Sequence, residues 1–314
     1  MKRIKSILLL VLSLAVALVS CEEWTEPRPA GLDPQDPAQQ NPQRYEQYLE
    51  QLRTYKQSAH AVVFATLENA PQVSTSEKDF MRSLPDSLDM VVLLNADRLS
   101  DSDREDMALM RRKGTKVLYH IDLSPYDAAL SWGAIRNDLT AYLDNAAVEY
   151  AKYGFDGFSV SGNVNMAATE DTPSFIGTSA KAITDKLRSA AGQTGILLFT
   201  GNALFFTEAD RARYDYFAID ASGMKHALEM QNEIDYMHGY LSIPYEKLLV
   251  AATPMQTLTD RSNKVAEALP QLAATVITSP LAGMGVMNIG EDYYDAKMNY
   301  RRTKEAIDML NPSH

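Results

Sequence analysis

Eight short apolar runs, separated by helical patterns along about 260 residues, restrict the fold of this chain more than any other feature. They are His60–Leu67, Leu88–Leu94, Lys116–Ile121, Gly157–Ser161, Gly195–Thr200, Tyr214–Ile219, Leu248–Ala252 and Gly283–Ile289. Their members are apolar throughout rather than alternately, as suits parallel strands covered on both faces. Eight such strands with helical crossovers predict an α/β fold, a (β/α)8 TIM barrel. Helices are expected over Arg44–Lys56, Ser100–Gly114, Trp132–Tyr153, Ser174–Ala191 and Tyr300–Leu310, the second with a Ser102-x-x-Glu105 capping box. An open doubly wound sheet is the alternative. The loop after the first strand, Glu68-Asn69-Ala70-Pro71, has no glycine to cradle a phosphate, which weighs against it.

The N-terminal part cannot join that core. Lys2, Arg3 and Lys5 precede an apolar stretch from Ile7 to Val19, shorter than the ~20 residues a membrane span needs. Residues 1–20 therefore read as a signal peptide. The sequence Leu18-Val19-Ser20-Cys21 resembles a bacterial lipobox, which implies a lipid anchor on Cys21. Acidic Glu22 and Glu23 after it resemble an export signal, so an outer-membrane lipoprotein facing the cell exterior is expected. Cys21 is the only cysteine, so neither an internal disulfide nor a cysteine zinc site is available. Residues 21–43 contain Pro27, Pro29, Pro34, Pro37 and Pro42 among polar residues and read as an extended tether, leaving 44–314 for the barrel. The formal net charge of −11, without concentrated Lys and Arg, excludes a nucleic-acid partner.

In a barrel of this kind the working surface is built at the carboxyl ends of the strands. The residues falling there are Glu68, Asn69, Asn95, Asp97, His120, Asp122, Ser161, Asn163, Asn202, Asp220, Ser222, Thr253, Met255, Asn288, Glu291 and Asp292. None is lysine or arginine, which disfavours phosphate substrates. Neutral hydrogen-bonding groups beside Tyr126, Trp132, Phe205, Phe206, Tyr293 and Tyr294 suit sugars. Asp97, Ser100 and Asp292 have a simpler use in capping loops and helices, and His120 in bonding to a barrel neighbour. The loop acids lack metal-ligand spacing, so neither a metal nor an organic cofactor is expected.

The stretch Tyr153-Gly154-Phe155-Asp156-Gly157-Phe158-Ser159-Val160-Ser161-Gly162-Asn163 resembles the signature strand of glycoside hydrolase family 18, the chitinases and endo-β-N-acetylglucosaminidases. That motif runs Asp-Gly-x-Asp-x-Asp-x-Glu. Its first Asp falls on Asp156, its other two on Ser159 and Ser161, and its Glu, the general acid, on Asn163. The family chemistry is substrate-assisted, with the sugar's acetamido group in place of a second carboxylate. An amide at position 163 cannot donate the proton, and Ser161 brings no charge to the intermediate. The family's Tyr after the sixth strand is missing from Asp220-Ala221-Ser222 as well.

The resemblance thus implies a catalytically silent barrel that binds N-acetylglucosamine-containing glycans, beside an outer-membrane glycan transporter and active enzymes. Asn163, Ser161, Ser159 and Asn202 would bond hydroxyls, and Tyr126, Trp132 or Tyr293 would stack on sugar rings. An active glycosidase with relocated acids stays open, with Glu68, Asp122, Asp220 and Glu291 as the candidates. A scaffold with a closed cleft is a third possibility.

Overall fold

A computed structural model describes residues 37–70, 72–131, 134–164 and 173–312. The signal peptide, Cys21, most of the tether and Trp132 lie outside the described residues. The chain divides into two units, Met1–Gln47 and Tyr48–His314. In the first, the described residues are helical from Pro37 to Gln40 and from Pro42 onward.

The second unit is a closed parallel barrel. Its strands are β1 (Val62–Leu67), β2 (Met90–Leu93), β3 (Lys116–Asp122), β4 (Gly157–Gly162), β5 (Ile196–Gly201), β6 (Tyr216–Asp220), β7 (Leu248–Ala252) and β10 (Gly283–Val286). They follow one another around the ring, and β10 closes it by pairing with β1 and β7. The predicted (β/α)8 architecture is therefore present. Strands β8 (Thr257–Thr259) and β9 (Val265–Glu267) form a separate antiparallel hairpin after β7. Three residues apiece carry too little apolar pattern to be read in advance.

The crossovers are uneven. Full helices follow β2 (Asp101–Lys113), β3 (Asn137–Tyr153), β4 (Pro173–Ala191), β6 (Ala227–Asp235), the hairpin (Ala268–Thr278) and β10 (Arg301–Leu310). Among the described residues the connection from β1 to β2 has two 3-10 turns, and that from β5 to β6 a 3-10 turn, Ala203–Phe205, and one helical turn, Glu208–Arg211. The Asp101–Lys113 helix corrects the expected capping box. Ser100 is extended and its Oγ accepts from Asp103 N–H, while Asp103 accepts from Ser100 N–H, because Ser102 already lies inside the helix. Gly114 ends that helix in the left-handed region, as expected. The next helix starts at Asn137 rather than near 132, since Arg136 is still extended.

Two cores result. The larger packs the outer strand faces against the helices. The smaller fills the barrel with Phe64, Met90, Val92, Leu118, Leu198 and Leu249. Gly285 makes room for it, because a Cβ there would collide with the Phe64 ring.

The N-terminal ends of the strands are tied by one repeated device. Asp89, Asp156 and Asp215 each stand just before β2, β4 and β6. Each accepts an N–H from the preceding strand: Val63 at 2.8 Å, Val117 at 2.9 Å and Leu197 at 2.8 Å. Asp89 also holds His60 Nε2 at 2.9 Å, and Asp156 holds Lys116 Nζ at 3.1 Å.

Candidate functional site

Strand register fixes which side chains reach the barrel mouth. Successive residues of a strand point to opposite faces. Leu118 and Leu198 lie in the inner core, so His120 and Asp122, two and four residues after Leu118, face inward as well. They pair with Ser159 and Ser161. Ser159 is buried beside His120, Ser161 is half-buried one layer higher, and Asn163 is exposed just past the end of β4. The three positions aligned with the motif, Ser159, Ser161 and Asn163, therefore climb one line of side chains from barrel interior to rim.

Around that line the polar contacts are loose. Ser161 Oγ lies 3.3 Å from His120 Nε2 and donates to Asp122 Oδ1 at 3.5 Å. Burial holds the His120 imidazole below its usual range, against the opposing pull of Asp122, so it is the neutral ring that faces Ser161. Its Nδ1 has no hydrogen-bond partner among the described residues. Tyr142 Oη accepts from Asp122 N–H at 3.4 Å, and burial pushes its phenol up to about 12.

Asp127 was not among the expected site residues. It follows the 3-10 turn Ser124–Tyr126, and its Oδ2 accepts from Asn163 N–H at 3.3 Å. Its Oδ1 is buried without a hydrogen bond among the described residues. Burial raises its carboxyl above the usual carboxylate range, the nearby Asp122 adds to this, and the Asn163 N–H opposes it. A loop residue five positions beyond the strand end carries no periodic signal that would have exposed it.

The other predicted residues separate into groups. Glu68, Asn69, Asn95, Asn288 and Glu291 line one cleft of about 350 Å³ at the ends of β1, β2 and β10. Two of the four alternative acids, Glu68 and Glu291, are thus brought to one cavity. The same cleft takes Lys78 and Asp79 from the β1–β2 connection, so a lysine enters a surface that the strand ends alone left without one. Asn69 and Asn95 are largely committed to each other. Asn95 N–H donates to Asn69 Oδ1 at 3.0 Å, and Asn95 Nδ2 donates to the Asn69 carbonyl at 2.8 Å.

Asp220, the remaining alternative acid, is exposed at the end of β6 and accepts from Ser222 N–H at 2.8 Å. Gln256, also unforeseen, bridges the same loop by donating from Nε2 to the Ala221 and Met224 carbonyls. Ser222 Oγ and Gln256 Oε1 are buried without partners among the described residues. Asn202 caps its own turn, accepting from Leu204 N–H at 3.1 Å and donating to the Val164 carbonyl at 3.4 Å. Asp292 is buried and accepts from Thr303 N–H at 2.8 Å, which caps the last helix.

The aromatic residues divide by burial. Phe205 and Phe206 are core residues packed with Phe199 and Tyr214, so they cannot serve as sugar platforms. Tyr126 is half-buried and stacked on Tyr142 with ring centres 6.4 Å apart. Tyr293 is half-buried, edge-on to both Tyr294 and Tyr300. Tyr294 is the open one, 72% exposed, with its hydroxyl 2.6 Å from Ser76 Oγ.

A family model described as "Glycoside hydrolase family 18, BT1044-like" matches residues 25–131. Over that stretch the chain is similar to glycoside hydrolase family 18. A solved structure of a selenomethionine variant of BT1044 superposes with a TM-score of 0.66 at 17% identity, covering 88% of this chain and 95% of the other. An endo-β-N-acetylglucosaminidase from Cordyceps militaris gives 0.59 at 15% identity, with coverages of 84% and 95%. A chitinase from Bacteroides thetaiotaomicron gives 0.60 at 10% identity, with coverages of 82% and 99%. At these identities the likeness shows the shared fold of the family-18-like barrel. No curated protein matches the chain.

Proposed function

We propose that this family-18-like barrel is a cell-surface lipoprotein, anchored through Cys21, whose mouth binds N-acetylglucosamine-containing glycans without the family's hydrolysis. The observation that carries this reading is the inward line Ser159, Ser161 and Asn163. Three hydrogen-bonding side chains climb from interior to rim, and none is an acid. Polar groups in such a line can bond sugar hydroxyls, and none can protonate a leaving oxygen. A structure of the Cordyceps enzyme with Asp→Asn and Glu→Gln replacements two residues apart is in complex with fucosyl-N-acetylglucosamine-Asn, which supports binding by a barrel whose acid pair has been neutralised. Anchor and tether would present the glycan to an outer-membrane transporter complex and to active hydrolases.

Isothermal titration with chitooligosaccharides and with N-glycans tests the proposal. Binding in the micromolar to millimolar range is expected, with no product after prolonged incubation; absence of heat with every acetamido sugar would refute it.

A second reading, hydrolysis through relocated carboxylates, draws on Asp122 beside Ser161 and Asp127 beside Asn163. It predicts product release that survives Asn163→Ala and disappears with Asp122→Asn or Asp127→Asn. Release abolished by Glu68→Gln or Glu291→Gln would instead locate the chemistry in the β1–β2–β10 cleft.

A further inference from the structure

The N-terminal face of the barrel, opposite the mouth, holds two adjoining cavities. One, of about 360 Å³, is lined by Arg53, Lys56, His60, Arg111 and Lys116, with Asp89 as its one carboxylate. The other, of about 420 Å³, is lined by Val276, Ile277, Pro280, Leu281 and Leu310, with Glu246 at its edge. They meet at His60, Val62 and Tyr216. Each falls within the size range of small-molecule sites.

The charge in the first cavity is incompletely balanced. Asp89 is occupied by Val63 N–H and His60. Lys116 has Asp156. The other three cations donate to neutral oxygens among the described residues. Arg53 reaches the Arg112 carbonyl at 2.8 Å, Arg111 reaches those of Tyr153 at 2.6 Å and Gly154 at 3.0 Å, and Lys56 reaches Thr115 Oγ1. A carbonyl orients a cation without cancelling its charge. Burial, with some help from Lys113, pushes Lys56 down to about 8 despite the opposing charges of Asp89 and Asp86. A chain of net charge −11 thus gathers positive charge beside an apolar groove.

We propose that the two cavities form one binding site for an anionic amphiphile, with a carboxylate or phosphate head among Arg53, Lys56 and Arg111 and an alkyl tail along Ile277, Leu281 and Leu310. The head supplies the negative charge that the neutral oxygens around these cations lack, and the tail covers Ile277, which is 57% exposed. Charge complementarity chooses the head and the continuous apolar lining chooses the tail. The site is independent of what the mouth binds.

Calorimetry with octanoate, decanoate and dodecanoate, each below its aggregation concentration, tests the site on the full chain. Affinity is expected to rise roughly fourfold per added methylene. Decyl maltoside, a neutral amphiphile, should not bind, and inorganic phosphate should bind more weakly than dodecanoate. Lys56→Gln should weaken dodecanoate at least tenfold. Should that variant fold poorly by circular dichroism, the solvent-facing Arg111→Gln gives the same test of the head, and Ile277→Asp should flatten the chain-length dependence. Phosphate as strong as dodecanoate, equal binding of decyl maltoside, or chain-length dependence unaltered by Ile277→Asp would overturn the proposal. So would binding to anionic phospholipid vesicles that dodecanoate fails to compete away, which would make this face a membrane contact.

Discussion

The two ends of the barrel use acidic residues in opposite ways. At the N-terminal end Asp89, Asp156 and Asp215 repeat one arrangement, each accepting a main-chain N–H from the preceding strand. At the mouth the side chains of β4 are neutral, their contacts are 3.3 Å or longer, and several buried polar atoms have no partner among the described residues. The contrast explains which part of the signature is present. Asp156 has the same structural task as two aspartates outside the motif, so its presence reports on strand docking and carries no information about chemistry. Ser159, Ser161 and Asn163, where the motif has acids, all lie toward the opposite end, at the mouth.

The sharpest way to break this contrast is to put the acids back. Ser161→Asp with Asn163→Glu should create hydrolysis of chitooligosaccharides at least ~10²-fold above the unaltered chain, the low end of what a general acid contributes. Product analysis by mass spectrometry reads the result. No gain would mean that the missing tyrosine after β6, or the shape of the cleft, is limiting.

Stability separates the ends next. Asp89→Ala strands a buried N–H and removes the partner of His60, and Asp156→Ala does the same to Val117 and Lys116. Each is expected to cost ~2–4 kcal/mol in urea denaturation, against ~1 kcal/mol or less for Ser161→Ala. Comparable losses at both ends would remove the distinction.

At the mouth, Ser161→Ala and Asn163→Ala should each weaken glycan binding about tenfold, the loss of ~1.4 kcal/mol, while melting temperature barely moves. The smallest effect concerns pH. The hydrogen bond to Asp89 raises the His60 pKa above 6.5, although burial opposes it. The protonated pair therefore adds stability that is complete below pH 6.5 and fades as pH rises through the folded-state value. The stability lost in His60→Gln should be larger at pH 5.5 than at pH 9, and denaturation at both values checks it. A loss independent of pH would mean that the ring contributes by packing on Tyr55 alone.

Most of the barrel could be read from the sequence because buried parallel strands are apolar along their whole length. β7 was placed to the residue, and the others shifted by up to three positions at their ends. The helix-poor connections after β1 and β5, and the hairpin after β7, escaped because their segments are shorter than one amphipathic repeat. At the site, Ser159, Ser161 and Asn163 were legible through the motif's two-residue spacing, which is the strand period itself. Asp127, Lys78 and Gln256 were not, since loop conformation rather than periodicity brings them to the mouth. Phe205 and Phe206 misled for a related reason: proximity to a strand end does not say which way a ring turns.

Phe64, seated in the space that Gly285 leaves open, has a further consequence. With Leu118, Leu198 and Leu249 it forms a bulkhead across the middle of the molecule. No solute entering at one rim can diffuse through to the other, so the top and the base are separate compartments, each free to acquire its own guest without sharing a passage.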